Sequence, residues 1–167
     1  MNRTLKYFSM VTVSVFLGGQ ITEGLFLVPH WKGLAPEQFY LYYAKFGPSI
    51  GYFYTGLTLA ATLVPLLYSV KAFYHKDLHL PYFVLSTFFM LTVIVLFFIF
   101  FKSTNQHFYA ADLNAATLKL TLETWEIWHW IRILLEMISL ILLLYGLNTF
   151  EPCGLKSNLI SKESQKE

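Results

Sequence analysis

The sequence predicts an all-α fold, an integral membrane four-helix bundle, and three observations predict it. The 167-residue chain is 56% hydrophobic and only 13% charged, where soluble domains carry about 25% charged residues. Four long apolar stretches, residues 7–28, 49–70, 81–101 and 127–147, are each close to the roughly 20 residues a helix needs to cross a bilayer. None alternates with a period of two, so helices rather than barrel strands satisfy the backbone in lipid.

The first element, YFSMVTVSVFLGGQITEGLFLV, follows Arg3 and Lys6. A signal peptide opens in the same way, but the apolar run continues through Val28 with no small-residue cleavage site, so a retained helix is expected. The second, SIGYFYTGLTLAATLVPLLYSV, contains Pro65, which predicts a kink. The third starts at Pro81, a residue suited to a first helical turn. The fourth is IWHWIRILLEMISLILLLYGL. Small-xxx-small pairs, Ser14 with Gly18 and Gly56 with Ala60, predict close helix approach.

Residues 1–150 are read as one four-helix domain and 151–167 as a polar cytoplasmic tail. Arg3, Lys6, Lys71, Lys76, Lys156, Lys162 and Lys166 fall on one side, seven against four for Lys32, Lys45, Lys102 and Lys119. The positive-inside rule then predicts both termini in the cytoplasm of a cell-membrane protein. The 31–48 loop is rich in aromatics, as an interfacial belt would be, and 110–125 predicts an amphipathic helix lying on the outer surface. The expected partner is the lipid bilayer. A net charge of +2 points to no nucleic acid, and Cys153 alone forms no internal disulfide and no CxxC site. Gly-rich phosphate loops, a nucleophile elbow and HExxH are absent from the sequence. Transport would require several copies to build a pathway, so an oligomer remains compatible with the sequence.

The chemistry concentrates in one stripe. Trp125, His129, Arg132 and Glu136 are spaced by four, three and four, which places them within about 60° of one another along roughly 16 Å of helix. Polar side chains in such a segment face the bundle interior. Helix one contributes Gln20 and Glu23 at its outer end, and Asn105 and His107 follow helix three. Glu23, Asn105, His129 and Arg132 are therefore expected to line one cavity, with Trp125, Glu136 and Gln20 as further substrate-binding candidates. Two carboxyls against one guanidinium leave surplus negative charge, which a proton on a Glu, a proton on His129 or a bound cation would offset.

The spacing Trp125-x3-His129-x2-Arg132 at the start of the last helix resembles the anthrone oxygenase-like family of small four-helix membrane proteins. Gly24 to Pro29 followed by Trp31, and Asn105 after helix three, extend the resemblance over most of residues 15–147. Glu136 and His107 are not carried over from it. The resemblance implies a four-helix bundle and oxidation of a polycyclic phenol by oxygen, with no known metal or flavin requirement. An apolar aromatic molecule would be the substrate. His129 or Glu23 would take a phenolic or benzylic proton, Arg132 would stabilise the resulting anion, and Asn105 would bond a substrate oxygen. Two other functions compete: a metal or cofactor binder using His129, Glu23 and either His30 or His107, and an assembly subunit in which the stripe only locks packing. The residues alone assign no cofactor.

Overall fold

The computed structural model describes residues 3–147; the polar tail expected over 151–167 lies outside the described residues. Four helical runs follow one another. α1 spans 3–33, α-helical over Arg3–Thr22 and Val28–Gly33 with a π-helical turn at Glu23–Leu27 between them. α2 is Pro36–Tyr74. α3 spans 80–110, with a second π turn at Phe97–Phe101. α4 is Ala115–Leu147. All four are long and apolar enough to cross a membrane, and the described residues contain no strand. The chain is a multi-pass membrane protein with an all-α bundle fold.

Every helix is longer than its apolar stretch, because polar and aromatic flanks continue the helix instead of breaking it. Pro29 sits in the first turn after the π turn, where its missing N–H costs least. Pro36 starts α2, and Gln38 Oε1 returns to accept from the Ala35 N–H. Of residues 110–125, expected as a separate surface helix, 111–114 are the connection after α3 and 115–125 are the opening turns of α4. Asn114 caps them: its Oδ1 accepts from the Thr117 N–H at 2.9 Å and its carbonyl from Leu118. Asn105 consequently lies inside α3, not after it.

Connections of a few residues, 34–35, 75–79 and 111–114, make consecutive helices antiparallel neighbours. α4 closes the ring against α1. Two apolar clusters fill the interior. Val13, Phe16, Tyr68, Phe83, Met90 and Leu143 form the one near the 75–79 connection. Trp31, Phe39, Tyr43, Phe101, Phe108 and Trp125 form the one near the other two connections, here called the upper end. Of the aromatics of 31–48 expected as an interfacial belt, Trp31, Phe39 and Tyr43 are core residues, whereas Tyr40 and Tyr42 are half-buried and Phe46 is exposed. Ser69 with Thr87 and Ser86 with Ser139 tie neighbouring helices by hydroxyl bonds.

The expected small-residue contacts are elsewhere. Gly18 and Gly56 have open space beside them and face outward. Close approach occurs at Gly24, where a Cβ would stand 3.1 Å from the His129 ring, and at Gly146 against Phe83. The outer surface is apolar, with Phe26, Leu41, Phe98, Ile127 and Leu134 exposed, as a lipid-facing surface requires.

Candidate functional site

Between the two apolar clusters lies a buried polar layer made by α1 and α4. Gln20, His129 and Glu136 are fully buried, Glu23 is 4% exposed and Arg132 8%. Arg132 Nη2 donates to Gln20 Oε1 and lies 2.8 Å from His129 Nδ1. It stands 3.5 Å from Glu23 Oε2, which is 3.9 Å from His129 Nδ1. The face of Phe101 covers the guanidinium at 4.4 Å, a cation–π contact from α3.

The hydrogen bonds decide the state of His129. Arginine only donates, so Nδ1 accepts from Arg132. Nε2 stands 2.9 Å from the Gln20 carbonyl, which only accepts, so Nε2 carries the proton. His129 is therefore a neutral imidazole with both nitrogens engaged. Trp125 stacks on it at 4.9 Å and donates its indole N–H to Asn105 Oδ1 at 3.3 Å. The absent side chain of Gly24 lets α1 come this near to the ring. Of the three ways of offsetting surplus charge, protonated His129 is incompatible with these bonds; a proton on a carboxyl or a bound cation remains. Both oxygens of Glu136 are buried without a hydrogen-bond partner, as are Gln20 Nε2, Arg132 Nε and Trp31 Nε1. A bare carboxylate so placed is costly, so the demand for a proton or cation falls most heavily on Glu136.

A cavity of about 620 Å³ lies against this layer, walled mainly by α2 and α3. Glu23, Arg132, Asn105 and Trp125 reach its wall. His129, Gln20 and Glu136 do not; they stand behind it, and His129 and Gln20 hold the wall residue Arg132 in place. Exposed Tyr52, Leu59 and Phe98 form its rim, so it opens sideways between α2 and α3. The π turns of α1 and α3 both border it, at Glu23 and at Phe97–Phe101. Such turns occur frequently at functional sites.

The ligand set proposed from sequence for a metal is not assembled. His30 is exposed against Tyr42, and His107 is exposed and bonded to Asp112. Among the described residues no three His, Cys, Asp or Glu side chains lie together as a metal site would need. Sequence reasoning missed Trp31, Phe101 and Tyr43 as wall residues. Trp31 was legible in one respect: it lies seven residues beyond Gly24, on nearly the same helix face. Compared with known proteins, the chain matches no family model, no curated protein and no solved structure.

Proposed function

We propose that this membrane protein is an oxygenase that takes an apolar phenolic molecule from the bilayer into the cavity between α2 and α3. The observation that carries the reading is the buried Glu23–Arg132 pair on the wall of an otherwise largely apolar, laterally open cavity. A charge pair there is expensive to maintain, and its placement suits a reaction that creates charge. The resemblance noted in the sequence supports the same chemistry.

Glu23 is the base in this reading. His129 has no free lone pair, because Nδ1 accepts from Arg132 and Nε2 donates to Gln20. A phenolic or activated C–H proton passes to Glu23, and the phenolate or enolate left behind faces Arg132. Dioxygen is the oxidant. A ring CH2 becomes C=O, losing two hydrogens and four electrons; one oxygen atom enters the carbonyl and the other leaves as water. Asn105 already accepts from Trp125 through Oδ1, so its amide N–H group is the part left to bond a substrate oxygen. His129 and Gln20 act as positioning residues for Arg132. The same reading places both termini in the cytoplasm.

The test is oxygen uptake and product absorbance with a hydroxylated anthrone as probe, using detergent-purified protein. Glu23→Gln and Arg132→Gln should each lower turnover by about 10²-fold or more, the usual worth of a general base or an oxyanion stabiliser. Turnover equal to wild type in both variants would sink the proposal.

A further inference from the structure

The cavity owes its room to α2. On α3 the wall is bulky, with Phe97, Phe98 and Phe101. Phe101 marks the height of Arg132, because its ring lies against the guanidinium. On α2 the wall carries Gly47, Gly51 and Thr55, successive turns of one helix face. Gly47 serves packing, since a Cβ there would stand 3.0 Å from the Tyr109 hydroxyl. Gly51 does not. Beyond its own helix, nothing among the described residues comes within 4 Å of the place its Cβ would take. Its backbone is ordinary helix without a positive φ, so no conformational need calls for glycine either.

Gly51 stands level with Glu23. α1 and α2 are antiparallel, and they meet at Gly19. A Cβ there would lie 3.3 Å from the Tyr54 ring and 3.7 Å from Leu57, and its carbonyl accepts from the Tyr54 hydroxyl at 2.8 Å. Four residues toward the upper end, about 6 Å, α1 reaches Glu23 and α2 reaches 50–53. Tyr52, next to Gly51, is exposed on the rim, so Gly51 lies between the buried pair and the lateral opening. The pair has bonding capacity left for a ligand. Arg132 Nη2 carries two N–H groups, and Gln20 Oε1 and His129 Nδ1 are its near acceptors. The Glu23 carboxyl, on the cavity wall and 4% exposed, is left at 3.5 Å and has no closer polar partner among the described residues.

We infer that Gly51 is the residue that sets how broad a ligand the cavity accepts: a fused ring system lies against the bare backbone of α2 at Gly51, across from the phenylalanines of α3, with a hydroxyl at Glu23 and Arg132. The hydroxyl's place rests on the proposed function; the part given to Gly51 rests on the packing of the helices. Glycine lets a ligand approach the backbone closely. Open space beside a glycine is by itself no sign of a ligand, since Gly56 has it too. Gly56 faces outward, away from the cavity wall, whereas the space beside Gly51 is the cavity. A single ring held at Glu23 and Arg132 leaves that space empty, and further fused rings fill it. A side chain at position 51 therefore competes with the outer rings alone.

The test is equilibrium binding without oxygen, using the full protein in lipid nanodiscs and two probes, a hydroxylated anthrone and the one-ring phenol p-cresol. Binding is read as saturable quenching of tryptophan fluorescence, since Trp31 and Trp125 border the cavity. Gly51→Ala, Gly51→Leu and Gly51→Phe form a series of rising size, and Gly56→Phe makes the same change on the outward face. The Kd of the hydroxyanthrone should rise along the series, by about tenfold or more at Phe, as overfilling a packed site does, while that of p-cresol stays within about twofold. Gly56→Phe should leave both at wild-type values. Should Gly51→Phe not fold, Gly51→Leu carries the comparison. Hydroxyanthrone bound at wild-type strength by the Leu and Phe variants overturns the inference, and with turnover intact it leaves the oxygenase reading standing. Equal weakening of both probes overturns it as well, because the side chain then blocks the opening instead of selecting breadth. So does the absence of saturable hydroxyanthrone binding in the wild-type protein. The graded loss in a protein that consumes no oxygen with this probe supports the part given to Gly51 while removing the oxygenase reading.

Discussion

Arg132 is the residue on which the buried layer depends. It bonds Gln20 and His129 and faces Glu23, all within the bundle. Arg132→Ala strands buried carboxyl groups and should cost about 3–5 kcal/mol in detergent unfolding. Leu142→Ala, at a partly buried position lower on the same helix, should cost clearly less, since it removes packing alone. Melting of Arg132→Ala at the wild-type temperature would mean the guanidinium is solvated. Glu136 separates charge from volume. Glu136→Gln keeps the shape and removes the surplus acid, so its stability should stay within about 1 kcal/mol of wild type or rise. Glu136→Ala leaves a void and should cost about 2 kcal/mol or more. Gly24→Ala drives a methyl against the His129 ring and should lower turnover through displaced Arg132, with a smaller effect on folding. The stripe spacing was legible at this scale, because helical phase follows from sequence number alone. That His129 is engaged at both nitrogens was not, since one partner is a backbone carbonyl 109 positions away.

At the scale of elements, the helix ends offer independent tests. Asn114→Ala removes the cap of α4 and should cost about 1 kcal/mol. Ala111, after the last turn of α3, holds φ of 53°, a left-handed conformation that costs a side chain about 1–2 kcal/mol. Ala111→Gly should therefore stabilise the protein in the same unfolding assay. The 75–79 connection is sensitive to acid. Burial disfavours charge on Asp77, but the backbone and ring of His79 and the nearby Lys6 outweigh it, holding the carboxyl below its usual range. A depressed folded value means that the contribution is present above the ordinary carboxylate range, near pH 4, and is lost as pH falls through the lower folded value. Asp77→Asn should flatten that acid-side loss. Apolar runs located all four helices, but their ends were misplaced. Lipid-crossing length sets a minimum for a helix, whereas caps and π turns decide where it stops.

For the whole molecule, topology is the measurable expectation. Reporter fusions inserted in 75–79 and in 111–114 should report opposite sides, with 75–79 cytoplasmic, because Arg3, Lys6, Lys71 and Lys76 gather at that end. Both insertions on one side would contradict a four-span bundle. The sequence by itself determined the membrane class, the number of helices and the shared face of Trp125, His129, Arg132 and Glu136, because hydropathy and helical phase are local properties read along one chain. Only the tertiary structure decided that Gly24 admits His129, that Phe101 covers Arg132, and that Glu136 and Gln20 stand behind a cavity which α2 and α3 leave open. Each of these depends on how far helices distant in sequence stand apart. That separation is set by side chains meeting across the bundle, which no single helix encodes.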